Sequence, residues 1–106
     1  MIARSWRGWV STDDADAYIA YMGRTGLPGY ASTPGFLGAY FLRRELDDGR
    51  TEVIALSLWS SMEAIERFAG PEPERAVFYP EDDRFLVDRE TTVSHFTVAL
   101  SSTPPR

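Results

Sequence analysis

Apolar and polar positions along the chain change period several times, and each change marks an element. From Ile2 to Val10 the period is two, with Trp6 and Val10 on one side and Ala3, Ser5, Arg7 and Trp9 on the other, which predicts a strand carrying bulk on both faces. Ser11-Thr12-Asp13-Asp14 then offers a helix N-cap with acidic residues in the first turn, where the helix dipole favours them. Ala15, Tyr18, Met22 and Thr25 follow at helical spacing, and Gly26-Leu27-Pro28-Gly29 is expected to end that helix. Pro34-Gly35 launches a second strand over about 36–46, and Asp47-Asp48-Gly49-Arg50 reads as a hairpin turn, since Asp-Gly accepts the positive φ that such turns need. A third strand covers about 51–59 and is apolar on both faces.

The third strand ends in Trp59 and a helix begins at once. Ser60-x-x-Glu63 has capping-box spacing, Met62, Ile65, Phe68 and Ala69 form one apolar stripe, and Gly70-Pro71 is the stop. Beyond it the pattern predicts a short helical turn over 72–77, a solvated acidic loop at Tyr79-Pro80-Glu81-Asp82-Asp83, a short extended piece over 85–87 and a last strand over 93–100. Residues 101–106 read as a frayed polar tail behind a single domain spanning 1–100.

The order is βαββαβ, an α+β, ferredoxin-like arrangement with a four-stranded antiparallel sheet. Two helices, each roughly 10 Å across, cover one face of such a sheet. Strands apolar on both faces need the other face covered too, so the pattern predicts a homodimer joined through the sheet face.

Composition narrows the function. At 106 residues, with 13% aromatic residues, the chain builds one core, and its aromatics must pack on one another, line a cavity or fill an interface. The net charge is −5 and the basic residues are scattered, which argues against nucleic acid as a partner. The absence of cysteine removes disulfides, thiolate chemistry and sulfur-ligated metals. The N-terminus lacks the apolar stretch of a signal peptide, and no segment reaches the ~18 apolar residues of a membrane span, so a cytoplasmic protein without membrane contact is expected. The chain also contains no Asn, Gln or Lys. Carboxamide hydrogen bonds and lysine chemistry are therefore unavailable to any site, and arginine without lysine suits a GC-rich bacterial source.

Four segments carry a resemblance: Ala3-Arg4-x-Trp6-Arg7-Gly8, Pro34-Gly35-x-x-Gly38-Ala39-Tyr40, Leu58-Trp59-Ser60-Ser61-Met62-Glu63-Ala64-Ile65 and His95-Phe96-x-Val98. From about residue 2 to 99 the chain resembles the antibiotic biosynthesis monooxygenase family, small dimeric α/β-barrel proteins with a ferredoxin-like subunit. The resemblance implies a monooxygenase that oxidises an aromatic or polyketide-like small molecule with no cofactor and no metal. In the members that oxidise anthrones, an asparagine stands four residues before the tryptophan; here Ala55 stands four before Trp59. In the haem-degrading members a first-strand asparagine and a helical histidine are needed, and these positions fall near Ser5 and Ala69, with no histidine in the helix. Haem degradation of that kind is not expected.

The candidate catalytic residues are His95 and Trp59. His95 is the only histidine, hence the one side chain that shuttles protons near neutral pH without a large pKa shift; its other reading is a satisfied structural group on the last strand. Trp59 either stacks on a planar substrate as a pocket wall or packs on Ala64 as core, and the two are compatible. Candidate substrate contacts are Ser5, Arg7, Ala55, Ser57, Trp59 and Phe68. Either Arg4 or Arg7, which point to opposite faces of the first strand, could anchor a carboxylate or phenolate, or each could pair with Glu or Asp. Adjacent carboxylates near Tyr79 lack the glycine or histidine of a metal loop. Two competing functions use the same residues: a non-redox isomerase or lyase of a small metabolite, and a non-catalytic small-molecule-binding or stress protein.

Overall fold

Strands β1 (Ile2–Ser11) and β3 (Arg50–Trp59) form the spine of the sheet, paired antiparallel along all their length from Ile2 opposite Trp59 to Ser11 opposite Arg50. The computed structural model describes residues 1–102. On the far side of β3 lies β2 (Phe36–Glu45), joined through the expected hairpin, in which Gly49 takes a φ of 82° and the Leu46 amide donates to the Arg50 carbonyl at 2.8 Å.

On the far side of β1 the structure departs from a simple four-stranded sheet. Two short strands, β4 (Leu86–Arg89) and β5 (Ser94–Thr97), both pair antiparallel with β1, β4 along Gly8 to Val10 and β5 along Ile2 to Ser5. They occupy one lane, interrupted between Glu90 and Val93, so the sheet has five strands in four lanes, ordered β2, β3, β1 and then β4 with β5. The expected last strand over 93–100 is thus shorter, and the expected extended piece over 85–87 is its partner in the same lane. Of the expected tail, only Ser101 and Ser102 lie within the described residues.

Helices cover one face. α1 (Ala15–Arg24) follows a single 3-10 turn, and α2 (Gly26–Ala31) follows α1 after a break at Thr25. The segment expected to end the first helix therefore forms a second one. Pro28 sits third in it, where the amide it lacks has no intrahelical acceptor in any case. α3 (Met62–Ala69) is capped by Ser61, whose hydroxyl accepts from the Ala64 amide at 3.1 Å, one residue later than the expected Ser60 cap. Ser60 instead donates its own amide to the Gly35 carbonyl at 2.9 Å. Residues 72–77 hold only a turn, Arg75 amide to Glu72 carbonyl, and a bridge from Arg75 to Thr92. The acidic segment is not a solvated loop: it runs into the one-turn α4 (Asp82–Phe85), and Asp82 is buried.

Two glycines make close approaches. Gly35 has a φ of 96°, and a Cβ there would lie 2.5 Å from the Ala64 Cβ, so the β2 entry can meet α3 only without a side chain. At Gly8 a Cβ would lie 2.5 Å from Cη2 of Trp6, whose indole folds over its own strand.

The core has two clusters. Trp6, Val10, Tyr18, Tyr21, Met22, Val53, Ala55, Phe85 and Leu86 pack beneath α1 and α4; Tyr30, Trp59, Ala64 and Ile65, joined by Phe36 and Phe68, pack beneath α2 and α3. Phe41 touches both clusters. The opposite face carries Tyr40, Leu42 and Phe96, all exposed, beside the half-buried Ile54, Leu56 and Leu58. No helix among the described residues is long and apolar enough to cross a membrane.

Candidate functional site

Strand alternation decides which candidates meet the helices. Trp6 and Val10 of β1 and Val53, Ala55, Ser57 and Trp59 of β3 are buried on the helix side, while Ser5, Arg7 and Trp9 lie on the open side. Arg4 shares the helix side with Trp6, and so does His95, its register partner on β5.

Where the two core clusters meet, a slot opens between sheet and helices. Its walls are Trp6, Tyr18, Tyr30, Phe41, Ala55, Phe68 and Tyr79, with Arg4 and Asp82 as its charged members. Counted out to its mouth, the unoccupied space is about 500 Å³, of which about 50 Å³ admits the centre of a water-sized sphere. The second figure is the one comparable to ligand pockets of roughly 300–1,000 Å³, and it falls well below them, so this is a narrow cleft between flat walls, most of the larger figure being its open mouth.

Arg4 is 3% exposed and makes no ion pair among the described residues. Its Nη1 donates to the Pro73 carbonyl at 2.5 Å and lies 3.1 Å from Nε2 of His95, and its Nη2 donates to the Arg75 carbonyl at 3.0 Å. The guanidinium lies 5.8 Å from the centre of the Phe68 ring. Burial pulls its pKa below the usual arginine value, partly offset by Tyr30 and by the exposed Glu74. Arginine nonetheless stays charged at neutral pH. A neutral His95 accepts from Arg4 through Nε2, which puts its proton on Nδ1. Burial, then the Arg4 charge, holds His95 below its ordinary pKa, against a smaller opposing pull from Glu74.

Tyr30, from α2, stands at the centre of an aromatic group: its ring lies 4.8 Å from Phe68, 5.6 Å from Phe36 and 5.8 Å from Trp59. Burial raises its pKa, with Arg4 and the Ser57 hydroxyl pulling the other way, so the phenol is protonated at neutral pH. At the other cluster, Asp82 accepts from the Tyr79 amide at 2.6 Å beside Tyr18. Burial raises the pKa of both Asp82 and Tyr18, and each is a cause of shift in the other.

Of the predicted contacts, Ala55 and Phe68 line the slot. Trp59 is fully buried behind Tyr30 and Phe68 and donates from Nε1 to the Ser57 hydroxyl at 2.8 Å, so both residues support the wall without forming it. His95 stands behind Arg4 and outside the slot lining. Ser5 and Arg7 are on the opposite side of the sheet, where Arg7 pairs with Glu52 at 3.3 Å and Glu90 at 3.5 Å. Tyr30, Trp6, Tyr18 and Tyr79 were not among the predicted contacts. For Tyr30 the signal was masked by the Gly and Pro before it, which read as a helix stop. Among the described residues there is no group of three or more His, Asp or Glu side chains that could hold a metal ion.

No protein-family model and no curated protein sequence matches the chain. Solved structures do. A candidate antibiotic biosynthesis monooxygenase from Bacillus cereus superposes with a TM-score of 0.69 at 14% identity, over 97% of each chain. The chain has the fold of the antibiotic biosynthesis monooxygenases. A cofactor-independent oxygenase of Streptomyces nogalater matches with a TM-score of 0.61 and 17% identity over 98% of both chains. A monooxygenase of Streptomyces coelicolor in complex with nanaomycin D matches with a TM-score of 0.62 and 14% identity over 98% of this chain and 92% of that one. A haem-degrading protein of Mycobacterium tuberculosis shares the fold as well. At these identities the likeness carries the architecture, and the chemistry has to be argued from the slot.

Proposed function

We propose that the protein is a cofactor-independent monooxygenase that takes a flat aromatic or polyketide-like molecule into the slot between sheet and helices. The observation that carries this reading is the slot's lining: aromatic rings on several sides of a narrow cleft, at the heart of a fold that also serves oxygenases. Rings so placed stack on a planar substrate and strip water from it. An anthrone-like methylene flanked by aromatic rings loses a proton readily, and the resulting anion is a strong enough reductant to pass electrons to dioxygen. The overall change balances without another redox partner: CH2 and O2 give C=O and H2O, one oxygen atom entering the product and the other leaving as water. The protein's part is to hold the anion, exclude bulk water and fix the ring.

The apolar outer face belongs to the same proposal. Tyr40, Leu42 and Phe96 are exposed beside Leu56 and Leu58 on a sheet whose other face is already covered. A second copy of the chain, docked face to face, is the occupant that covers this surface.

Oxygen uptake tests the activity. With an anthrone under metal-free conditions, the protein is expected to consume one O2 per anthrone well above the spontaneous rate. Ala55→Leu, which fills the slot from its floor, should lower that rate at least tenfold, while Ser5→Ala on the outer face leaves it unchanged. Anthrone oxidation no faster than in buffer, or an Ala55→Leu variant that folds and keeps its rate, removes the proposal.

A further inference from the structure

We propose that Arg4 is the anchor for an anionic oxygen of the ligand, so that the slot selects planar molecules with an acidic group: an enol, a phenol or a carboxylic acid in its deprotonated form. The inference rests on the slot being the ligand site and adds the class of molecule it takes.

Arg4 is the one buried arginine among the described residues, and it lines the slot. A guanidinium carries five N–H donors. Three are used here, by the Pro73 carbonyl, the Arg75 carbonyl and Nε2 of His95. Nε–H and one hydrogen of Nη2 have no protein acceptor among the described residues, and these two nitrogens lie along one edge of the guanidinium plane. That edge is the fork which meets two oxygens of a carboxylate, or of an enolate and its neighbouring carbonyl, side by side. The acceptors already in place are neutral: two carbonyls and an imidazole nitrogen fix the plane of the group without discharging it. Nor does a carboxylate do so, since Glu74 acts on Arg4 only at a distance. A cation buried without a counter-ion is costly unless one is supplied. Phe68, against which the guanidinium packs, is also a slot wall, so a ring lying on Phe68 brings a substituent oxygen toward Arg4. His95 acts through Arg4, as a positioning residue.

A matched pair of probes tests this on the unaltered protein. By isothermal titration calorimetry, 2-naphthoate is expected to bind at least tenfold more tightly than 2-naphthamide, which has the same ring and shape but no charge. The preference should vanish in Arg4→Met and persist in Arg7→Met, on the far side of the sheet. Equal affinity for the two probes overturns the anchor while leaving the slot as an aromatic site. Loss of the preference in Arg7→Met places the anion on the outer face and overturns it as well. If neither probe binds, the reading of the slot as a ligand site falls, and the anchor falls with it.

Discussion

Arg4 and Arg7 stand three positions apart on β1, and their surroundings separate them. An odd spacing puts them on opposite faces, which the strand pattern makes plain. Which face the helices would cover was less legible, because Ile2 to Val10 carries bulk on both sides. Arg7 emerged on the open face, held by Glu52 and Glu90, while Arg4 was buried with carbonyls and a histidine for partners. The histidine gives the residue scale its measurable consequence. In the folded protein His95 titrates below its ordinary value of about 6.5, because of burial first and Arg4 second, with Glu74 opposing. Between the folded and the ordinary value the unfolded chain therefore binds more protons, so stability is full above the ordinary value and is lost as pH falls through the folded one. Urea midpoints measured from pH 7.5 down to pH 5 should decline more in the parent than in His95→Gln. Superimposable curves would show that His95 is not held below its ordinary pKa in the folded protein, and would remove the Nε2 acceptor for Arg4 with it.

At the scale of elements, the hairpin, the three long strands and α3 follow from pattern and turn chemistry, and the register of β1 with β3 follows from alternation once pairing is given. The errors cluster where chemistry is ambiguous. Gly26-Leu27-Pro28-Gly29 reads as punctuation, but proline in a first turn costs a helix little, and burying Tyr30 among four aromatic rings secures the rest. The slot's central ring was lost with that helix. Ser60 and Ser61 are equally good caps by composition; the Ser60 amide is drawn to Gly35 and the cap moves on by one. Ser61→Ala should therefore lower stability by about 1 kcal/mol, and Ser60→Ala by much less. Denaturant titration of the two single variants decides between them, and the reverse order would return the cap to Ser60.

For the whole molecule, coverage is the governing quantity. Two clusters under four helices satisfy one side of the sheet, and the other side retains Tyr40 and Phe96, each 58% exposed. The apolar pattern on both faces of the strands was legible and is what the proposed second copy rests on, whereas the position of the slot was not, since it depends on where two clusters fail to close. Light scattering at micromolar concentration should give a mass near twice 11.9 kDa. Tyr40→Glu, which a monomer tolerates at so exposed a site, should halve it. A parent protein that is monomeric under these conditions overturns face-to-face pairing.

The interrupted lane beside β1 has a bearing on aggregation. A long unbroken edge strand is a template on which other chains can add, and it seeds fibres. Here the edge is cut into two four-residue pieces, and in the gap the Glu90 amide donates to the Arg7 carbonyl while its own carbonyl takes the Trp6 indole. The opposite edge, β2, carries a bulge near Leu37 at one end and Arg43, Arg44 and Glu45 at the other. The border beside β1 thus offers an incoming strand no continuous ladder, whereas β2 runs unbroken from Gly38 to Glu45 and is guarded only at its two ends. A chain rich in exposed apolar side chains is therefore protected from strand addition along the broken lane, and relies on the charges of Arg43, Arg44 and Glu45 along the other edge.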